Sequence, residues 1–177
     1  SFYTEEPAVF AKNYFGYLTE LLGKIDTEQI AQFIKTLLTA RESGNTVFFI
    51  GNGGSAATSS HFANDLAIGT LALEKPFRIV SLTDNQAVIT AIANDFGYQD
   101  VFSRQLKVLG KPGDVVVALS ASGNSQNIIE TFEYAKTAGI KSVAITAFDG
   151  GRIKPMADES VHFPTEAKEY GPAEDLH

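Results

Sequence analysis

The chain opens with two apolar stripes at helical spacing and then changes to short runs that are apolar throughout. Phe10, Tyr14, Tyr17, Leu18, Leu21 and Leu22 recur with the rhythm of an amphipathic helix, and Pro7 falls in its first turn, where a missing N–H is tolerated. Phe2, Val9 and Phe15 lie off that stripe, so a second apolar face is expected, suited either to the core or to packing between subunits. A second stripe of Ile30, Phe33, Ile34, Leu37 and Leu38 begins after Asp26-Thr27, which supply an N-cap, and stops at Ser43-Gly44. From there strands are predicted near 46–50, 78–82, 114–119, 141–146 and 160–163, with helices near 55–68, 86–94, 98–108 and 125–138. Continuously apolar strands are covered on both faces, and strand–helix–strand order makes a parallel sheet. The expected fold is α/β: a three-layer, doubly wound sheet over 45–177, with a helical extension over 1–44 attached to the same single domain.

Length and composition sharpen this picture. The 177 residues suit one domain, and 44% hydrophobic with 20% charged residues is the balance of a chain that folds. The chain contains no cysteine, which excludes disulfides, thiolate metal sites and a cysteine nucleophile and makes the cytoplasm the expected compartment. A net charge of -7 without a basic run argues against nucleic acid. No apolar run approaches the ~20 residues of a membrane span, and Ser1 to Pro7 lacks the charged and apolar regions of a signal peptide. Neither membrane nor nucleic acid is an expected partner.

Ligands of open α/β sheets bind outside the carboxyl ends of the strands, so the residues just after each strand carry the functional weight. Two such loops stand out. Gly51-Asn52-Gly53-Gly54-Ser55 follows the first strand and opens a helix, combining close backbone approach with the unsatisfied N–H groups of a helix start. Ser120-Ala121-Ser122-Gly123-Asn124-Ser125 follows the third, and its hydroxyls can wrap a phosphate with neutral donors. Ordinary turn and cap chemistry accounts for either loop alone; two of them in one sheet point to an anion. Neither has the lysine of a nucleotide-binding P-loop, so a sugar phosphate is favoured and no nucleotide cofactor is expected.

Those two loops together resemble the paired signature of sugar isomerase (SIS) domains, and Asn94-Asp95-Phe96-Gly97-Tyr98 between them is similar to the matching segment of the phosphoheptose isomerases. The resemblance runs over roughly residues 10 to 177. It implies a five-stranded parallel sheet of flavodoxin-like order, a homotetramer, and active sites lined by more than one subunit. It also implies substrate contacts from Asn52, Gly53, Gly54 and Ser55, from Asn94 and Asp95 to sugar hydroxyls, and from Ser120, Ala121, Ser122 and Ser125 around the phosphate. The activity implied is conversion of sedoheptulose 7-phosphate to D-glycero-D-manno-heptose 7-phosphate through an enediol or enediolate, feeding heptose synthesis for cell-surface glycans such as lipopolysaccharide.

That chemistry needs a base, an acid and a stabiliser for the developing oxyanion. His61 and Asp65 are spaced i, i+4 and project from one helix face, where they form a simple surface pair, a metal site or a base and its partner. The resemblance matches them to the family's His-x-x-x-Glu metal ligands, with aspartate standing for glutamate, and matches Glu174 to a ligating glutamine. His61, Asp65 and Glu174 are thereby expected as both metal ligands and catalytic groups, around one divalent ion, zinc foremost. His177 corresponds to a structural histidine of the family's last helix, whose catalytic histidine falls five residues further on. The native chain is therefore expected to continue. His162, inside a strand-like run, reads as structural, and Tyr98 and Arg104 read as interface residues. Because Asp65 and Glu174 depart from the family pattern, a phosphosugar-binding module that docks another protein without catalysis stays open, as does an isomerase for a different phosphosugar.

Overall fold

The computed structural model describes residues 2–71 and 73–177. Helix α1 (Pro7–Leu22) starts at Glu6, whose side chain accepts from the N–H groups of Ala8 and Val9, with Pro7 in the first turn. Helix α2 (Thr27–Glu42) is capped by Asp26, which accepts from the Glu28 N–H, and closes at Ser43. Five strands follow: β1 (Thr46–Gly51), β2 (Arg78–Ser81), β3 (Val115–Ser120), β4 (Lys141–Thr146) and β5 (Glu159–His162). They form one parallel sheet in the order β2-β1-β3-β4-β5, which is the order the resemblance implied.

The connecting helices are α3 (Gly54–Asn64), α4 (Gln86–Asp95), α5 (Ser103–Leu109), α6 (Gln126–Ala138), the short α7 (Ile153–Met156) and the final α8 (Tyr170–Leu176). Three details differ from the sequence reading. The helix predicted over 55–68 changes at Asp65 to a π-helical turn, Asp65–Gly69. The helix predicted over 98–108 is two pieces, a 3₁₀ turn at Tyr98–Asp100 and α5, because Gly97 at φ 110° turns the chain out of the helical direction just before it. The four-residue α7 was not foreseen.

Residues along each strand alternate between two cores. Phe48, Ile50, Val116 and Ala118 face α5 and α6, where they pack with Leu106, Ile128, Ile129 and Phe132. Val47, Phe49, Val115, Val117 and Leu119 face the opposite way, against Phe33 and Leu37 of α2. Each such side chain contributes ~1.5–3 kcal/mol of burial, so both layers are anchored and the loops between them inherit fixed positions. Buried Asp114 ties the strand starts together, accepting from the N–H groups of Thr46 at 2.8 Å and Lys111 at 3.0 Å.

The outer face of α1 is apolar as predicted, with Val9 47% and Phe15 66% exposed. Leu22, expected in the inward stripe, is 57% exposed, because α1 ends there and the chain turns away at Gly23. Phe2, off the stripe, stacks with Tyr17 and meets Phe10 and Tyr14. Helix α1 is tied to α8 by the Tyr14 hydroxyl on Asp175 and to the turn before α8 by the Tyr17 hydroxyl on Glu169. Among the described residues, no helix is long and apolar enough to cross a membrane.

Candidate active site

Strand β1 has β2 on one side and β3 on the other, so successive connections leave it in opposite directions, and the crevice between β1 and β3 is the topological switch point. The register pairs Gly51 with Leu119, so both Gly/Ser loops emerge side by side at the same end of the sheet.

In the first loop Gly53 adopts φ 55°, ψ -124°, a conformation closed to ordinary L residues, and this aims the start of α3 into the crevice. Ser55 is buried in the first turn. In the second loop Ser120 accepts from the Gly123 N–H at 3.2 Å, and Ser122 accepts from the Asn124 N–H. Ala121 is buried against Ala147 and Ala173. Ser125 is the N-cap of α6, yet its hydroxyl makes no capping bond and stays free of the helix. No lysine or arginine stands in either loop.

The loops are joined by a contact that sequence reasoning missed. Asn52 and Asn127, the latter buried in the first turn of α6, exchange hydrogen bonds in both directions, at 3.0 Å and 2.9 Å. The Tyr98 hydroxyl donates to the same Asn52 Oδ1 at 2.8 Å. Tyr98, expected at an interface, is thus tied to the first loop and is 55% exposed, and Arg104 stacks 3.5 Å over the Phe96 ring. Asn127 gave no signal in the sequence, because a polar residue in the first turn of a helix that also carries Gln126, Glu130 and Thr131 is ordinary. An open cavity of about 580 Å³ is bounded by Asn52, Tyr98, Gln99, Ser125, Gln126 and Asn127. A larger groove of about 650 Å³ runs along the β2 edge between α4 and α5. It contains none of the expected site residues, whereas the cavity at the switch point is bounded by two of them, Asn52 and Ser125.

Asn94 and Asp95 end α4, exposed, with their side chains bonded to each other at 2.8 Å. No hydrogen bond joins them to either loop among the described residues. His61 Nε2 lies 3.1 Å from Asp65 Oδ2, and both side chains are well exposed. Within one chain Glu174, expected beside them, lies elsewhere. Its carboxylate lies against Gly54, at the opposite end of α3, so a Cβ there would meet its Oε2 at 2.9 Å. Seven residues of helix, ~10 Å, separate Gly54 from His61. Accordingly, no group of three or more His, Asp or Glu side chains able to hold a metal occurs among the described residues.

His162 hydrogen-bonds Thr146 through Nδ1 at 3.1 Å, in the structural role expected of it. His177 packs against Phe163, and both its ring nitrogens are buried without a hydrogen-bond partner. Burial pulls its pKa down to about 4, and neighbouring His162 adds to the shift.

A model of the SIS domain matches residues 13–147 of the chain. A probable phosphoheptose isomerase of Thermoplasma acidophilum is 42% identical over 152 residues, covering 86% of this chain and 84% of that protein. The phosphoheptose isomerase of Akkermansia muciniphila is 43% identical over 154 residues, 86% of this chain and 78% of that protein. Among solved structures, a phosphoheptose isomerase from Neisseria gonorrhoeae superposes with a TM-score of 0.82 at 30% identity, covering 94% of this chain and 91% of the other. One from Francisella tularensis superposes with a TM-score of 0.87 at 27% identity, covering 97% and 92%.

Proposed function

We propose that this chain, which belongs to the SIS-domain family and within it to the phosphoheptose isomerases, interconverts sedoheptulose 7-phosphate and D-glycero-D-manno-heptose 7-phosphate. The carrying observation is the pair of neutral anion loops side by side at the β1/β3 switch point, on a chain about 40% identical to proteins named for that activity.

The reaction moves a proton between C1 and C2 of an open-chain sugar. Ser120, Ser122 and Ser125, with the backbone around Ala121, hold the phosphate, and Asn52, Gly53, Gly54 and Ser55 line the adjoining wall. Asp65 is the base that takes and returns the proton, and His61, 3.1 Å away, orients its carboxylate. The exposure of His61 and Asp65 suits a site in which the loops of one copy meet this pair from another. Asn94 and Asp95, exposed at the end of α4, reach sugar hydroxyls across the same kind of contact.

A homotetramer assembled through the apolar outer faces of α1 and α2, including Phe15 and Ile34, provides that arrangement. The compartment consistent with a soluble, cysteine-free enzyme of sugar-phosphate metabolism is the cytoplasm.

His61 and Asp65 also fit a divalent ion, zinc foremost: their 3.1 Å N···O separation is near the ~3.4 Å edge of a tetrahedral site with ~2.1 Å bonds. Bound there, the metal would supply Lewis-acid polarisation of the sugar oxygens. Within one chain Glu174 stands apart from this pair and faces the first loop, where its carboxylate competes with an anionic substrate for the amino end of α3.

The test is turnover of sedoheptulose 7-phosphate to the aldose by full-length protein, with and without added zinc. Isomerisation that is abolished in Asp65→Asn supports the reading. Phosphosugar binding without turnover under any metal condition overturns it in favour of a non-catalytic module.

A further inference from the structure

The reciprocal amide pair between the two loops assigns a role to residues that lie outside the set of expected substrate contacts. Asn127 is 3% exposed and does not face the crevice freely; its carboxamide is spent on Asn52. A carboxamide oxygen has two lone pairs. On Asn52 Oδ1 both are taken, one by Asn127 Nδ2 and one by the Tyr98 hydroxyl. One Nδ2 hydrogen is likewise taken, by Asn127 Oδ1. The one hydrogen-bonding capacity left on the Asn52 side chain is a single N–H. An untethered asparagine at the tip of a glycine loop would offer a donor or an acceptor and would sample several rotamers.

We propose that Asn127, with Tyr98, is a positioning residue for substrate binding: it locks the Asn52 carboxamide and, through it, the first loop to the second, so that Asn52 meets the substrate as a donor only. A donor at that point favours a phosphate, carbonyl or hydroxyl oxygen and disfavours a protonated amine, which selects an ordinary sugar phosphate over an amino sugar. The burial of Asn127 and the partial exposure of Asn52 divide the roles: one side chain is fixed by the core of α6 and the other is presented to the cavity.

This inference rests on Asn52 contacting substrate, and its test separates the two. Asn52→Ala, Asn127→Ala, the double variant and Tyr98→Phe are compared with wild type as full-length protein. The measurements are kcat and KM for sedoheptulose 7-phosphate, the affinity for inorganic phosphate by calorimetry, and the thermal midpoint. Asn127→Ala is expected to raise KM by about tenfold with kcat changed far less, and Tyr98→Phe by about threefold, the usual weight of one or two hydrogen bonds. The double variant is expected to bind no worse than Asn52→Ala alone, since Asn127 acts through Asn52. Multiplying penalties in the double variant overturn the proposal, as does a KM within about twofold of wild type in both Asn127→Ala and Tyr98→Phe. Tyr98 is 55% exposed, so Tyr98→Phe remains interpretable if Asn127→Ala is unstable. If wild type is inactive, the isomerase reading fails and the same cycle is read from phosphate affinity, where the same coupling is expected.

Discussion

The carboxylate of Glu174 covers the Cα of Gly54, so that a Cβ at position 54 would lie 2.7 Å from Glu174 Cδ. The last helix therefore reaches the amino end of α3, next to the loop expected to receive an anion. A glutamate here places a negative charge where the helix dipole and free N–H groups favour a negatively charged ligand.

Replacing Glu174 by glutamine keeps the shape and removes the charge. Glu174→Gln is expected to lower KM for sedoheptulose 7-phosphate by roughly three- to tenfold and to flatten its dependence on ionic strength, the size of a partly screened like-charge contact. Steady-state kinetics at two salt concentrations measure this. An unchanged KM would show that the charge does not act on the substrate, and a higher KM that the carboxylate helps to bind the sugar.

Gly51 and Gly54 differ in what a methyl group would strike. At Gly54 it meets the far end of a flexible glutamate, which can swing away, and alanine suits the first turn of a helix. At Gly51 it meets the Ser55 carbonyl carbon at 2.7 Å, which is backbone and cannot yield without moving α3. Gly51→Ala is expected to destabilise by about 2–4 kcal/mol and Gly54→Ala by less than about 1 kcal/mol. Denaturant titration of the two variants decides the point, and equal losses would mean that Glu174 is held as firmly as the main chain.

His61 and Asp65 are an exposed pair and are expected to matter for chemistry and not for folding. His61→Ala and Asp65→Asn should leave the thermal midpoint within about 2 °C of wild type. Both should reduce the zinc retained per chain, and Asp65→Asn should lower kcat at least about 100-fold, the scale of a lost general base. Metal analysis and kinetics on the same preparations test this. Full zinc retention in both variants would remove the pair from the metal site.

The strands were legible because Thr46–Gly51 and Val115–Ser120 are buried along their whole length, which only an apolar run tolerates. Their order was not contained in periodicity and came with the family resemblance. Periodicity also failed at 98–108, where Gly97 turns the chain and Tyr98 is held by Asn52, 46 residues away. Glu174 illustrates the same limit. Its alignment with a metal-ligating position was readable from residue order, but its contact with Gly54 depends on how α8 lies across the end of the sheet. Asn127 was invisible for a related reason: a polar residue in a first turn is ordinary, and its partner sits on another loop.

The histidines at the α8 end make stability depend on pH. His177 has a folded pKa of about 4, held down chiefly by burial, against an ordinary value of ~6.5. His162 is shifted down too, by burial and by the nearby Lys154 charge, with Asp149 opposing. The unfolded chain therefore binds protons that the fold refuses. Their contribution is complete above about pH 6.5 and, for His177, is lost as pH falls toward about 4, at up to about 1.4 kcal/mol per pH unit for one histidine. Glu159 acts in the same direction at lower pH. Burial pushes its pKa up, but hydrogen bonds from Lys141, Gln32 and Thr36 outweigh this and leave it lowered, so its stabilisation too is lost on acidification. The thermal midpoint of wild type is expected to fall between pH 6.5 and 4.5, and His177→Phe, which keeps an aromatic ring beside Phe163, should flatten that fall. A variant with the wild-type slope would show that α8 stays docked around a protonated His177 and that the acid loss arises elsewhere.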